Sequence, residues 1–110
     1  MNSKYLMVFM TSADRDEAGK IAEELLRRRL AACVSIFPKG ESYFWWEGTI
    51  DREEEYLLIA KTGAGRFADL VSSVKKIHGY EVPEIVSVPL TGGNPDYLRW
   101  LDEEIGDEEG

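Results

Sequence analysis

Two short apolar runs constrain this chain more than any other feature, because each is apolar at every position rather than at alternate ones. Residues 5–10 read YLMVFM and residues 56–60 read YLLIA. Successive side chains of a strand point to opposite faces of a sheet, so both runs predict strands that are apolar on both faces. A sheet built from them needs cover on both sides.

Two amphipathic patterns predict helices of similar length. In the first, Asp14 is placed to cap the helix with Glu17 three residues on, and apolar residues follow at helical spacing. In the second, one apolar face ends at His78, and Gly79 is a typical C-terminal stop. The apolar positions are Ala18, Ile21, Ala22, Leu25 and Leu26 in the first helix, and Phe67, Leu70, Val71, Val74 and Ile77 in the second.

The segment between the helices predicts a long hairpin. Residues 31–37 (AACVSIF) alternate small and branched side chains, as a strand does. Residues 38–40 (PKG) then predict a turn, after which residues 42–61 return along the first strand with a break near Gly48.

The order of these elements predicts the fold class. Residues 85–90 form a last strand in which Pro89 favours a sheet edge, and Asn94 with Pro95 begins a short helix. A βαββαβ order predicts an α+β, ferredoxin-like antiparallel sheet with both long helices on one face and a short extra C-terminal helix. The other face stays apolar and uncovered, so we expect copies of the chain to cover it in a closed homo-oligomer.

Two adjacent tryptophans in residues 43–48 (YFWWEG) sharpen that expectation. In an extended chain Trp45 and Trp46 point to opposite faces of the sheet. Burying one tryptophan removes roughly 150–250 Å² from water. We expect one ring to pack in the subunit's own core and the other against a neighbouring copy.

Length and charge limit the domain count and the partners. A chain of 110 residues forms one domain, which we place at residues 1–104, and we expect residues 105–110 to be an acidic, solvated tail. Acidic residues outnumber basic ones by 21 to 13, and most of the excess lies in residues 102–110. The chain has no basic stripe for nucleic acid, no membrane-spanning run and no signal-peptide pattern, so we expect a cytoplasmic protein that binds neither nucleic acid nor membrane.

Each candidate site residue also has a structural interpretation. Cys33, the only cysteine, is a thiol ligand or a small buried residue, and by itself it excludes an intrachain disulfide. His78, the only histidine, is a metal ligand, an acid-base group or a packed side chain bonded to a carbonyl or carboxylate. Glu84 enters a strand expected to be central or near-central, with Lys61 as an available partner. The segment HGYEVPEI (78–85) is equally a polar site and a hydrogen-bonded connection.

Five stretches together resemble the CutA family, the divalent-cation tolerance proteins. They span most of the chain in the family's order: LAACVSIFP (30–38), SYFWWEGTI (42–50), EYLLIAKT (55–62), HGYEVPEIVSVPL (78–90) and YLRWL (97–101). The resemblance implies a ferredoxin-like subunit in a tight homotrimer whose hairpins pack across subunit boundaries, and a link with tolerance to copper and other divalent metals. The fold and trimer also resemble PII-type signalling proteins, which bind small ligands in clefts between subunits.

The resemblance also assigns site residues by position. Cys33 falls on the family's cysteine and His78 on the histidine of its HPYEVPEI segment, and we predict these two with Glu84 as ligands of Cu²⁺ or another divalent cation. Gly79 replaces the family's usual proline, which loosens the helix end beside His78. Four further motif positions are expected at or near the intersubunit cleft: Trp46, Glu47, Lys61 and Tyr80.

Three functions compete at this point. A Cys33 thiolate and a neutral His78 imidazole suit Cu or Zn, whereas Glu47 and Glu84 offer harder oxygen ligands. The first hypothesis is a non-enzymatic trimeric protein of metal-ion homeostasis that binds a divalent cation between subunits. The second is a PII-like regulatory module that binds a small organic ligand in the intersubunit cleft. The third hypothesis is an enzyme that uses His78 and Glu84 as acid and base. The sequence shows neither a nucleophile–histidine–acid order nor a pair of carboxylates at a spacing that requires catalysis.

Overall fold

The computed structural model describes residues 4–106, and within them four strands and three helices follow each other in the predicted order. The predicted cap residues are confirmed, since the side chains of Asp14 and Asn94 accept backbone N–H bonds at the starts of their helices. The described range contains no helix long and apolar enough to cross a membrane. The elements are β1 (Tyr5–Ser12), α1 (Arg15–Arg27), β2 (Cys33–Trp46), β3 (Thr49–Gly63), a 3-10 turn (Ala64–Arg66), α2 (Phe67–Ile77), β4 (Ile85–Pro89) and α3 (Pro95–Glu104).

The four strands form one antiparallel sheet in the order β2-β3-β1-β4. This is the predicted α+β arrangement, in which β3 lies between the two strands that α1 connects, and β4 occupies the edge that Pro89 favours. Helices α1 and α2 pack on one face, where alternate residues of the central strands are buried. That core includes Val8, Met10, Leu58 and Ala60 from the sheet, and Ile21, Leu25, Leu70 and Val74 from the helices.

The opposite side of the sheet, which we call the open face, carries the alternate residues that point away from α1 and α2. Its apolar side chains on β1 and β3 are half-buried, and those on the outer strands are exposed by 44–51%: Met7, Phe9, Leu57 and Ile59 in the first group, and Phe37, Val86 and Val88 in the second. The predicted uncovered apolar face is therefore present in the single chain.

Helix α3 covers only one end of the open face. The Tyr5 hydroxyl donates to the Asp102 carboxylate at 2.8 Å, and Ile105 lies so close to Gly63 that an added Cβ there would come within 2.8 Å of Ile105 Cδ1. Ile105, which falls in the predicted tail, is 5% exposed. The rest of the predicted tail, residues 107–110, lies outside the described residues.

The turn predicted at residues 38–40 is wrong. Strand β2 runs on without reversing to Trp46, and residues 38–40 form a bulge that shifts its register with β3. A proline is tolerated there because β2 is an edge strand, where a missing N–H breaks no ladder bond. The chain reverses instead at Glu47 and Gly48, whose φ angles are +50° and +86°. Positive φ at both positions of a two-residue turn suits the twist of a hairpin.

The hairpin therefore extends as a long two-stranded arm, defined as residues 40–55, beyond the part of the sheet that the helices cover. The prediction that one tryptophan packs in the subunit's own core is wrong. Trp45 and Trp46 lie on opposite faces of the arm and are 72% and 44% exposed. Two strands without a second layer have no core in which to bury a large ring.

Candidate functional site

A cleft of about 850 Å³ lies where the arm meets the loop between α2 and β4. One wall follows from strand alternation, because every second residue of each arm strand points to the same side. The register sets Ser42 opposite Glu53 and Phe44 opposite Asp51. The arm contributes Ser42, Tyr43, Phe44, Trp46, Asp51, Glu53 and Glu55 to the lining, and the loop contributes residues 79–82 and Glu84.

A hydrogen bond between Tyr80 and Glu55 joins the two walls. The phenol donates to Glu55 Oε2 at 2.7 Å, and Glu55 is only 7% exposed. Burial, and after it the bond to Glu55, raises the pKa of Tyr80 above its ordinary value, so the phenol is a neutral donor at neutral pH. The carboxyl group of Glu55 is thus fixed in the cleft by a donor that carries no charge.

His78 is buried beside the cleft and uses both ring nitrogens. Nε2 lies 2.7 Å from the Thr11 carbonyl, which only accepts, and Nδ1 accepts the backbone N–H of Tyr80 at 3.1 Å. These partners define a neutral ring with its proton on Nε2. The His78 and Tyr80 rings are in tilted contact, with centroids 4.8 Å apart. Ligation of a metal by His78 would require one of its two hydrogen bonds to break.

Glu17 of α1 holds the same loop from the helix side. Its Oε2 accepts the Gly79 N–H at 2.6 Å, and its Oε1 accepts the Ser12 hydroxyl at 2.6 Å and lies 3.6 Å from His78 Nδ1. A proline at position 79 has no N–H and could not form the first of these bonds. The glycine therefore gives the loop an attachment to α1 that a proline at this position would exclude.

Acidic side chains dominate the charge of the cleft. Among residues 4–106, no lysine, arginine or histidine side chain lines it, and none of its carboxylates forms an ion pair within 4.0 Å. No group of three histidine, cysteine or acidic residues in the same range is close enough to hold a metal ion. The acidic lining residues are Asp51, Glu53, Glu55, Glu81 and Glu84.

The expected pairing of Glu84 with Lys61 is wrong. Glu84 is exposed at the mouth of the cleft, immediately before the edge strand β4 rather than a central one. Lys61 pairs with Met7 on β1. If the β1–β4 register continued by one residue beyond Met10 and Ile85, Glu84 would lie opposite Thr11, four residues along β1 from Met7. Four residues of strand span about 13 Å. Of the four motif positions expected at or near an intersubunit cleft, Trp46 and Tyr80 line this cleft of the single chain, whereas Lys61 and Glu47 lie outside its lining.

Cys33 lies at the opposite end of the open face from the cleft. It pairs with Lys61 across β2 and β3, and its sulfur is 3.5 Å from the Tyr97 hydroxyl of α3. Burial, and after it the bond to Cys33, raises the pKa of Tyr97 to about 12. Within one chain, the structure brings His78 and Glu84 to the same end of β1 and leaves Cys33 at the other.

Four residues of the site were missed from the sequence: Glu17, Asp51, Glu53 and Glu55. A signal for three of them exists, because residues 51, 53 and 55 are acidic with the period of a strand face. That face aligns with Phe44 and Trp46 only when the reversal is placed at residues 47–48.

The chain is similar over nearly its whole length to proteins of one family. Residues 6–104 match the family model described as CutA1 divalent ion tolerance protein. The divalent-cation tolerance protein CutA of Archaeoglobus fulgidus is 41% identical over 98 residues, which cover 89% of this chain and 95% of that protein. The protein of the same name from Thermus thermophilus is 42% identical over 100 residues, covering 91% and 97%. A solved structure described as the periplasmic divalent cation tolerance protein CutA from Archaeoglobus fulgidus has a TM-score of 0.89 at 39% identity, covering 92% of this chain and 98% of that one.

Proposed function

The chain belongs to the CutA1 divalent ion tolerance family, and from that premise we propose that it acts in divalent-cation tolerance as a non-enzymatic homotrimer that binds a cation, with Cu²⁺ as the first candidate. The observation that carries the proposal is the acidic cleft. Five carboxylate residues line it, and within residues 4–106 none has a cationic partner. A site with this charge concentrates cations from solution.

More than one copy of the chain is needed to complete a metal site. Residues 4–106 of a single chain bring no three histidine, cysteine or acidic residues within reach of one ion. Three-fold symmetry turns one ligand per chain into three. The apolar open face and the exposed Trp45 supply surface for the assembly, since a lone chain would leave both in water.

Among the three predicted ligands, the geometry favours Glu84. It is exposed at the cleft mouth and free to meet a neighbouring subunit, whereas both ring nitrogens of His78 are hydrogen-bonded. Cys33 remains a second candidate at the other end of the open face, where a thiolate would suit a softer ion. Cu²⁺ stands highest among the first-row divalent ions for nitrogen, oxygen and sulfur ligands alike, so either location favours copper.

Native mass spectrometry with and without Cu²⁺ tests this function. We expect three subunits and bound copper, and we expect Glu84→Gln to weaken copper binding by about tenfold, as the loss of one charged ligand does. Glu23→Gln, an equal charge change on the exposed side of α1, is the matched control and should leave it unchanged. Copper binding by Cys33→Ala tests whether the ion binds at the second location, near Cys33. A monomer, or a trimer that retains no copper, contradicts the proposal.

The size of the cleft supports a second candidate function. Pockets for small molecules occupy about 300–1,000 Å³, and this cleft of about 850 Å³ lies within that range. A PII-like regulatory module would bind a small organic ligand there. A thermal-shift screen of cations, anions, nucleotides and amino acids should then give a selective increase in melting temperature that Tyr80→Phe reduces. A screen without any selective shift contradicts this candidate.

We also propose that the protein is cytoplasmic. One archaeal relative is described as periplasmic, so the compartment has to be measured for this chain. Cell fractionation with detection of the untagged protein should recover it with cytoplasmic markers, and recovery with secreted or envelope markers contradicts this location.

A further inference from the structure

We propose that helix α3 is a lid, which opens as a unit about residues 91–93 and controls access to the Cys33 end of the open face. The lid is defined as α3 together with Ile105, the residue that caps it. The inference goes beyond the proposed function, because it concerns a motion of the chain that requires no bound ion. Its test uses no metal, so the lid and copper binding can fail separately.

The lid packs outside the main core of the molecule. Its buried apolar side chains are Leu101 and Ile105, and neither belongs to the core cluster that the described residues of the sheet form with α1 and α2. Ile105 instead packs against Gly63 at the end of β3. The free energy of opening an element depends on the contacts that the element buries. The lid can therefore open while the core between the sheet and the two long helices stays closed.

The segment that joins β4 to the lid is suited to act as a hinge. Residues 91–94 are exposed and form neither helix nor strand, and a Cβ added at Gly92 would meet no atom within 4 Å. Just before this segment, the Leu90 N–H donates to the Tyr5 carbonyl at 2.9 Å, so the sheet is fixed up to that residue. Hinges are typically a few loop residues next to such a fixed element. The chain can turn at residues 91–93 without disturbing β4.

Polar and ionic contacts fasten the far end of the lid to the start of β1. The Tyr5 hydroxyl donates to the Asp102 carboxylate at 2.8 Å, and Lys4 Nζ lies 3.3 Å from the same group. Both charged side chains are partly exposed to solvent. Dissolved salt screens such a pair of charges. This attachment therefore weakens as the ionic strength rises.

Arg29 forms a second attachment from a backbone conformation that few residues adopt. Its φ is +59°, in the left-handed region where the end of a helix usually carries glycine. From there its guanidinium donates to the backbone and side-chain oxygens of Glu104 at 2.8 and 2.9 Å. Arg66 likewise donates to the Gly106 carbonyl at 2.6 Å. The contact with the lid gives a physical reason for an arginine where glycine would be less strained.

Cys33 lies under the lid and can report its opening. The Cys33 sulfur is 3.5 Å from the Tyr97 hydroxyl, and the Tyr97 ring is in tilted contact with that of Trp100, with centroids 5.4 Å apart. Both rings belong to the lid, whereas Cys33 belongs to β2. Opening of the lid would separate Tyr97 from the sulfur and expose the thiol to solvent.

The rate at which N-ethylmaleimide alkylates Cys33 in the full-length protein tests the inference. The reagent is small and uncharged, so salt acts on the lid and not on the approach of the reagent. We expect the rate to rise several-fold as sodium chloride is raised to about 1 M. Hydrogen exchange should also show the amides of residues 98–105 opening more often than those of α1 and α2. Opening of the lid and the core in one common transition overturns the proposal.

Two variants separate opening of the lid from unfolding of the whole chain. Ile105→Ala removes a buried side chain of the lid and should raise the alkylation rate by about tenfold or more. Val74→Ala removes a buried side chain of the core, so it should lower the urea midpoint and leave the alkylation rate unchanged. Equal acceleration by both variants would show that the thiol reacts only after global unfolding. No acceleration by Ile105→Ala would show that it reacts with the lid closed, and either result overturns the proposal.

Arg29→Gly gives a second test, because its expected effects on the lid and on overall stability differ. Glycine suits the positive φ, so the urea midpoint should not fall, whereas loss of the contact with Glu104 should raise the alkylation rate about threefold. Glu104→Gln should act in the same direction. Glu103→Gln, an equal charge change at an exposed position of the lid, should change the rate less than about twofold. If a neighbouring copy holds the lid shut, none of these variants will change the rate, and the inference fails while trimer formation and copper binding stand.

Discussion

His78 connects two elements and the loop of the cleft through one buried ring. Its Nε2–H donates to the Thr11 carbonyl of β1, its Nδ1 accepts the Tyr80 N–H, and Glu17 of α1 lies 3.6 Å away. Tyr80 in turn donates to Glu55, so the His78 ring helps to position Tyr80 in the cleft. His78 itself does not line the cleft. We therefore assign His78 a positioning role.

His78→Ala should lower the free energy of unfolding by about 2–4 kcal/mol, because a buried ring and two hydrogen bonds are lost together. Urea denaturation at fixed protein concentration, followed by tryptophan fluorescence, measures the change. Lys76→Ala, an exposed substitution in the last turn of α2, should cost less than about 0.5 kcal/mol. Unchanged stability together with lost copper binding would instead identify His78 as a ligand.

Tyr97 gives the molecule an alkaline-sensitive contact. Its pKa is raised to about 12 by burial and by the Cys33 sulfur, whereas a tyrosine of an unfolded chain ionises near pH 10. The folded state thus favours the neutral phenol, so its contribution is fully present below about pH 10 and is lost as the pH rises toward 12. Tyr97→Phe should lose less stability than the parent between these pH values, as measured by urea midpoints. An identical loss in both proteins would contradict this contribution.

At the scale of elements, the local signals of this sequence are reliable and the pairing-dependent ones are not. The caps Asp14 and Asn94 and the helical faces depend on neighbours within one turn and were predictable. The exception is Leu26, which was predicted on the apolar face of α1 but lies on its outer side and is exposed. A proline and a glycine at residues 38–40 fit a turn or an edge-strand bulge equally well, and only the register with β3 decides between them.

The candidate site was predictable to a similar extent. Three residues that lie in the family-like motifs line one cleft of the chain: Trp46, Tyr80 and Glu84. Glu55 was missed because its position on the same face of the arm as Phe44 and Trp46 depends on where the hairpin reverses. The supposed pairing of Glu84 with Lys61 ignored the strand order, which separates them along the sheet.

The reversal of the arm depends on Gly48. Its φ of +86° is a conformation that costs other residues about 1–2 kcal/mol. Gly48→Ala should lower the free energy of unfolding by about that amount, as measured by urea denaturation. Gly40→Ala in the same arm has no positive φ and no atom within 4 Å of the added Cβ, so it should be neutral or slightly stabilising. Equal costs at the two positions would contradict the turn assignment.

The contact between α1 and the loop predicts an unusual result for Gly79→Pro. A proline at position 79 should destabilise this chain by about 1–3 kcal/mol, because Glu17 Oε2 loses the N–H that it accepts at 2.6 Å. The proline should cost less in a Glu17→Ala background, where that bond is already absent. A double-mutant cycle in urea measures the difference. A stabilising proline in the parent background would show that the bond contributes little.

At the scale of the whole molecule, one feature links the fold to the function. The helices cover one side of the sheet, α3 covers one end of the other, and the arm projects beyond both. The rest of the open face and the two tryptophans of the arm, Trp45 and Trp46, are not covered by any element within the described part of the chain. The acidic cleft adjoins this same uncovered region, so assembly of the chain and formation of a complete cation site are expected to be coupled.

A charge placed on the open face should therefore break the assembly. Phe37 on the open face and Leu26 on the outer side of α1 are exposed to a similar extent, 46% and 42%, and differ in where they lie. Phe37→Glu would put an unpaired carboxylate into a buried interface, which costs several kcal/mol per subunit on the order of a broken buried pair. We expect native mass spectrometry at micromolar concentration to show trimers for the parent and Leu26→Glu, and monomers for Phe37→Glu. If both variants dissociated equally, the added charge and not its place on the open face would be the cause. A monomeric parent would show that the open face is not an interface between copies of the chain.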